Sequence, residues 1–404
     1  MRFTLKLLLT AAMLVGGGVS LLAAERSLPS PSSPIYVITN DDGVSHNYVS
    51  FFAAGGTPAA PTLTFASDII TRGRGIGGGF FGTQRINLLP DAATHCVYAS
   101  NAGSGEISAI DLTTNQLAGN FPASPGDAGD SNGIGIVLNA NYLYAAYTAS
   151  NTIATFSVQP GCQLSFLEDV SAAGLNGGSV AGMALHGDIL VVAYADGSIE
   201  SFNIANGLPQ SNGDAQNSTA YIRSGIYFPE SVDISPDGHF AIFGDSSLAT
   251  IIEVSDISSG RLTPTLEYTV SGVSHAVGVG INSAALRLSP DGTMIFLGDN
   301  DGGSVAAAFF DARTGRVSGG CTSSPLGGFY NPWAFVGSVA TRDNTGTGGV
   351  LYVAEYGFTA SYIGIVKIAS DGTLCTLTES PASEVPDLLS DGLLSITVFP
   401  PRPF

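Results

Sequence analysis

A short apolar strand recurs seven times along this chain. The copies are Ile35-Tyr36-Val37-Ile38, Val97-Tyr98-Ala99-Ser100, Leu143-Tyr144-Ala145-Ala146, Leu190-Val191-Val192-Ala193, Ala241-Ile242-Phe243-Gly244, Ile295-Phe296-Leu297-Gly298 and Leu351-Tyr352-Val353-Ala354. From Tyr98 onward they return about every 51 residues, and the step before Tyr98 carries an insertion. A strand this short cannot bury both faces by itself, so each copy must stack on its neighbours. A period of this length holds about four short strands, the unit of a β-propeller blade.

The surroundings of the copies repeat as well. Residues 85–90, 231–236 and 285–290 form a preceding strand that ends in proline, and the last two run on into Asp237-Gly238 and Asp291-Gly292. Ser-Pro-Asp-Gly is a tight turn, because proline presets φ and glycine accepts a positive one. These two strands therefore form a hairpin. Alternating strands follow at 105–110, 152–158, 197–204, 250–254, 304–310 and 362–368, and turns such as Thr314-Gly315 and Asp371-Gly372 lead into a fourth strand.

The two ends of the chain complete each other. Ser395-Ile396-Thr397-Val398-Phe399-Pro400 aligns with the first strand of the repeat, whereas Pro34-Ile35-Tyr36 opens on the second. Pairing the two would close a ring and leave no open sheet edge at the seam. The expected fold class is all-β: a seven-bladed β-propeller of four-stranded blades over residues 35–404, closed by the C-terminal strand completing the N-terminal blade.

Residues 1–24 read as a secretory signal peptide, with Arg2 and Lys6 ahead of an apolar run and small residues at Ala23 and Ala24. Residues 25–34 are a Ser/Pro-rich tether. The expected location is outside the cytoplasm, periplasmic or secreted, with no membrane span after cleavage. Acids outnumber bases 33 to 14, a net charge of −19, which argues against nucleic acid or an anionic membrane as partner. Four cysteines in an exported chain suggest two disulfides, with three connectivities open. Cys96 and Cys162 fall in consecutive blades, as do Cys321 and Cys375, and all four map near hairpin ends opposite the channel mouth. Those two pairings are expected.

Tyr36-Val37-Ile38-Thr39-Asn40 and the two Ser-Pro-Asp-Gly turns resemble the YVTN repeat family and the wider group of lactonase-like seven-bladed propellers. The resemblance covers nearly the whole mature chain, weakly in each copy. It implies a propeller whose relatives include lactone hydrolases, lactonising isomerases and proteins of unknown role. The enzymes of that group place arginine, histidine and acidic side chains at the channel mouth, but no local motif carries a role onto a residue here.

Strand direction locates the mouth. The innermost strands enter from one face, so the residues preceding them rim the channel: Gln84, Asn132, Ser179, Glu230, Ser283, Asn331 and Asp391. Loops joining second and third strands open on the same face and carry Asp41, Asp42, Asp245, Asp299, Asp301 and Glu355. Blade-linking loops bring Arg72, Arg74, Arg223 and His275, and Trp333 follows Asn331 closely. Glu230 reads as a general base or metal ligand at a pocket floor, or else as a solvated carboxylate at a loop end. Asp233 and Arg287, within inner strands, read as inter-blade hydrogen-bond or ion-pair partners. The glycine run at 72–79 precedes a β-strand and lacks a lysine, so it reads as a flexible inserted loop and not as a phosphate loop.

Two function classes fit. The preferred one is a non-catalytic module that binds a small molecule or a protein at its polar, acidic mouth and needs no cofactor. The alternative is a lactonase-like hydrolase using a divalent metal held by Glu230 and Asn331.

Overall fold

A computed structural model of the chain describes residues 35–57, 59–77, 88–91, 93–122, 133–225, 229–245, 251–269, 286–299, 304–323, 335–341, 348–356, 361–370, 375–384 and 395–399. Residues 1–34, where a signal segment and a tether are expected, lie outside these residues.

Blade 1 begins with β1 (Ile35–Asn40), β2 (Tyr48–Thr57) and β3 (Ala60–Ile70). Blade 2 holds β4 (Leu88–Asp91), β5 (Cys96–Asn101), β6 (Glu106–Asp111) and β7 (Gln116–Pro122). Blade 3 holds β8 (Ile134–Leu138), β9 (Tyr142–Tyr147), β10 (Thr152–Gln159) and β11 (Gln163–Ser171). Blade 4 holds β12 (Val180–His186), β13 (Ile189–Tyr194), β14 (Ser198–Asn203), β15 (Gln210–Ser211) and β16 (Gln216–Asn217), and the helix α1 (Thr219–Ser224) follows it. Blade 5 holds β17 (Pro229–Ile234), β18 (Phe240–Asp245), β19 (Ile251–Asp256) and β20 (Leu266–Thr269). Blade 6 holds β21 (Leu286–Leu288), β22 (Met294–Asp299), β23 (Ser304–Asp311) and β24 (Arg316–Thr322). Blade 7 holds β25 (Phe335–Thr341), β26 (Gly348–Tyr356), β27 (Ser361–Ser370) and β28 (Cys375–Glu384). The last strand, β29 (Ser395–Phe399), returns to blade 1, whose order is β29-β1-β2-β3.

The termini thus meet as the alignment of the repeat requires. β29 pairs antiparallel with β1 from Tyr36↔Phe399 to Asn40↔Ser395. The innermost strands touch in the sequence β29, β4, β8, β12, β17, β21, β25 and back to β29, which is a closed ring. The insertion before Tyr98 is the long β2–β3 hairpin, with strands of 10 and 11 residues, plus the segment after it.

The core lies between the blades. Seven buried clusters each combine residues of two adjacent blades, one cluster per junction. The repeat explains this. Alternate residues of each second strand face opposite blades, so Ile38 packs toward blade 2 and Val37 toward blade 7. The recurrent tyrosine is the wedge: Tyr98, Tyr144 and Tyr352 are fully buried in three such junctions. Burying an apolar side chain of this size contributes about 2 kcal/mol.

Both expected disulfides are formed. Cys96–Cys162 joins the start of β5 to the β10–β11 turn, with Cα atoms 5.6 Å apart. Cys321–Cys375 joins β24 to β28 at 5.7 Å. Each links neighbouring blades, although Cys321 is the next-to-last residue of β24 and not at a hairpin end. Blade 4 departs from the four-strand pattern. Its outer strand is broken into β15 and β16, both paired with β14. In the gap, Asp214 takes the place of a strand: its carboxylate accepts from Ser201 N (2.9 Å), Ser201 Oγ (2.6 Å) and Leu262 N of blade 5 (2.8 Å).

Candidate functional site

The mouth face is built from loops after second strands and loops between blades. At the junction of blades 1 and 2 these loops are bound to each other. Residues 71–77 form a strap laid between the β1–β2 loop and the β5–β6 turn. Thr71 N donates to Asn47 O, Asn47 N to Gly73 O, Gly75 N to Gly43 O, Gly77 N to Asp42 O and Gly103 N to Arg74 O, at 2.8–3.1 Å. Ile76 N donates to Asp42 Oδ1 (2.9 Å) and Arg74 N to Ser104 Oγ (3.1 Å). The glycines are needed for the closeness. A Cβ on Gly73 would lie 2.3 Å from the Asn101 side chain, and one on Gly75 would lie 2.2 Å from the Asp42 backbone. This corrects the flexible-loop expectation for residues 71–77, because nearly every backbone N–H there has a fixed partner. Residues 78–87 lie outside the described residues.

Beneath the strap is a buried amide network. Asn40 Nδ2 donates to Ser100 O (3.0 Å), and Asn47 Nδ2 to Asn40 Oδ1 (2.8 Å) and Asn101 Oδ1 (2.9 Å). Thr71 Oγ1 donates to Asn47 O, and Asn101 Nδ2 to Ser108 Oγ. On the other side of β1, the Asp41 carboxyl meets Thr39 Oγ1 (2.6 Å) and Ser50 Oγ (2.5 Å), and all three residues are fully buried. Burial pushes the Asp41 carboxyl up to about 8, against the two hydroxyls that bond it, and Asp68 adds to the rise. Asp41 is therefore largely neutral at pH 7. Asp41 and Asp42 were expected to be acids at the open mouth, and the fold buries both.

A second corner is built at blade 4. Asp196, in the β13–β14 turn, accepts from Asn176 N (2.7 Å), Gly178 N and Ser198 N (both 3.0 Å) and Ser198 Oγ (2.5 Å). It so clamps the loop that leads into β12. Burial alone would raise this carboxyl, but the Ser198 hydroxyl and the three N–H groups outweigh it and hold Asp196 below the ordinary aspartate value. Beyond blade 4, α1 is capped by Ser218 Oγ on Tyr221 N and lies against blade 5. Buried Glu253 accepts from Ala220 N (2.7 Å) and Thr265 Oγ1 (2.8 Å), and burial raises its carboxyl above the usual range.

No protein-family model matches the sequence, and no curated protein matches it. Solved structures do. A provisionally named 6-phosphogluconolactonase from Bacteroides fragilis NCTC 9343 superposes with a TM-score of 0.65 at 15% identity, covering 92% of this chain and 99% of that one. A similarly named protein from Bacteroides uniformis ATCC 8492 gives 0.65 at 14%, covering 90% and 99%. The periplasmic gluconolactonase PpgL of Pseudomonas aeruginosa gives 0.64 at 14%, covering 91% and 99%. The fold is that of the lactonase-like seven-bladed propellers. At such identities the likeness speaks for the fold alone.

Within this propeller the expected site residues separate. Ser179 is half-buried directly before β12, as read, and its carbonyl accepts from Ala195 N (2.9 Å). Glu230 is not ahead of its strand. It is the second residue of β17, at a bulge between the pairs Pro229↔Asp245 and Ser231↔Gly244. A bulge leaves its extra residue outside the ladder and bends the strand. Arg72 is exposed, with a left-handed φ of 63°. Arg74 is exposed too, and its Nη2 reaches Gly103 O (3.3 Å). Arg223 sits in the last turn of α1, ion-paired with Glu267 of β20 at 2.6 Å, so its charge is committed to the flank of blade 5. Asp233 Oδ2 accepts from Leu288 N of the next blade (3.0 Å), the inter-blade role expected of it. Gln84, Asn132, His275, Ser283, Asp301, Asn331, Trp333 and Asp391 lie outside the described residues. Sequence reasoning passed over Asn47, Asn101, Asp196 and Glu253; Asx residues in turns were the one visible signal for them. Among the described residues no helix is long and apolar enough to cross a membrane.

Proposed function

We propose that this chain is an exported propeller that binds a small polar molecule or a protein through its mouth face, without turning it over. One observation carries the reading. Three carboxylates on this face are already engaged: Asp41 with Thr39 and Ser50, Asp42 with the strap, Asp196 with the loop before β12. They hold loops in place, whereas a general acid or base must be free to exchange a proton with a substrate. What they hold is a rim with exposed Arg72 and Arg74 on a pinned backbone, and a preorganised rim loses little entropy on binding. Export is supported by the N-terminal pattern, by two disulfides and by the periplasmic name of one structural neighbour.

A second reading, a lactone hydrolase, is favoured by Glu230 standing at a strand bulge in a fold shared with proteins named gluconolactonase. Glu230 and Asn331 would then hold a divalent metal, which polarises a lactone carbonyl when bound. Among the described residues no three His, Cys, Asp or Glu side chains are placed to share a metal ion. Purified protein assayed on a lactone panel with calcium, zinc, manganese or chelator separates the readings. Binding without turnover predicts no hydrolysis, and stabilisation by some members of a panel of lactones, aldonates and sugars that weakens in Arg72→Ala/Arg74→Ala. Hydrolysis abolished by Glu230→Gln would establish the enzyme instead.

A further inference from the structure

Asp41 is an ionisable group that the fold accommodates poorly. Its carboxyl is fully buried, its side-chain partners among the described residues are two hydroxyls, and no ion pair joins it to a basic group there. The charged and titratable groups around it do not favour a second negative charge. Asp68 of β3 stands opposite Ser50, and Asp42 is the next residue. His46 is exposed on the same loop, and Arg72 and Arg74 of the strap are exposed to solvent. An ionised carboxylate in this place must find water, and the short route is opening of the 41–47 loop.

That loop is also the seat of the strap. Asp42, Gly43 and Asn47 make six hydrogen bonds to residues 71–77, counting Asp42 Oδ1 to Ile76 N and Thr71 Oγ1 to Asn47 O. Opening one therefore unseats the other. We propose that Asp41 is a protonation-controlled latch on the mouth: neutral, it keeps the 41–47 loop closed beneath the strap; ionised, it opens the loop and releases the segment carrying Arg72 and Arg74. The device is independent of what the mouth binds.

Hydrogen exchange of the full chain, with millisecond to minute labelling from pH 6 to pH 9.5 and correction for intrinsic rates, reads it directly. Peptides covering 41–47 and 71–77 should lose protection about tenfold per pH unit from pH 6 up to the transition and level off above it, while β9 and β10 of blade 3 keep theirs. Asp41→Asn should make both segments pH-independent. Asp68→Asn, which keeps Asp41 and removes a repelling charge, should move the transition to lower pH, and serves if Asp41→Asn does not fold. Flat wild-type profiles, equal loss in every blade, or identical profiles in wild type and Asp41→Asn would each overturn the latch.

Discussion

Asp41 and Asp196 occupy matching places, each just past the second strand of its blade on the mouth face, and the protein treats them oppositely. Asp41 is surrounded by hydroxyls and is held neutral, with burial lifting it to about 8. Asp196 faces three backbone N–H groups and a hydroxyl and is held ionised, below the ordinary range. A hydroxyl can rotate to donate or to accept, so it tolerates either protonation state of its partner. A backbone N–H can only donate, and three converging ones select the anion. The corner at blades 1 and 2 is therefore built of neutral amides, a neutral acid and glycine, whereas the corner at blade 4 is built around a carboxylate.

The two corners should answer pH with opposite signs. A carboxyl whose folded pKa is raised contributes stability that is fully present below the ordinary aspartate value and lost as pH climbs toward about 8, which is the Asp41 case. A carboxyl whose folded pKa is lowered contributes stability present above the ordinary value and lost as pH falls through its folded pKa, which is Asp196.

The most severe way to break the comparison is to remove what both corners share. Deleting residues 390–404 takes away β29 and opens the ring at blade 1. Both corners should fail together, with aggregation or loss of a cooperative melt; intact solubility and an unchanged melting temperature would show that the seam does not hold the ring. Next in size is the covalent staple beside the first corner. Cys96–Cys162 joins blades 2 and 3 across 66 residues, and replacing both cysteines by serine should cost about 3–4 kcal/mol in urea unfolding. A loss below about 1 kcal/mol would mean that the blade 2–3 packing needs no staple. The smallest effect sharpens the contrast itself. Asp196→Ala removes four hydrogen bonds at a partly solvated site, so a loss of about 1–2 kcal/mol at pH 7 is expected, shrinking at acid pH. A loss that is the same at pH 3 and pH 7 would contradict the ionised assignment.

The ring was legible because its determinants are local and repeated. The Ser-Pro-Asp-Gly turns fix hairpins over a few residues, and the alternation in copies such as Leu143-Tyr144-Ala145-Ala146 states which faces are buried. Both are observed, as is the strand that Ser395–Phe399 returns to blade 1. The mouth was legible only as a set of loops. Arg223 looked like a free cation until Glu267, 44 residues away, was brought beside it. Glu230 looked like a loop residue because a bulge adds one position to β17 that no local pattern marks. The strap looked flexible because glycine permits disorder and tight packing equally, and the choice depends on Asn101 and Asp42 closing over Gly73 and Gly75.

By itself, then, the order of amino acids determined the number of blades, their strand content apart from the broken edge of blade 4, the split between the termini and the partners of the four cysteines. Period, turn chemistry and apolar alternation act between near neighbours and repeat often enough to read. Tertiary structure alone decided that Asp41 is neutral and Asp196 charged, that Asp214 replaces a stretch of strand, and that an arginine-bearing strap is pinned across blades 1 and 2. Each of these depends on how deeply a group is buried and on which donors converge upon it, and those donors come from other loops and other blades.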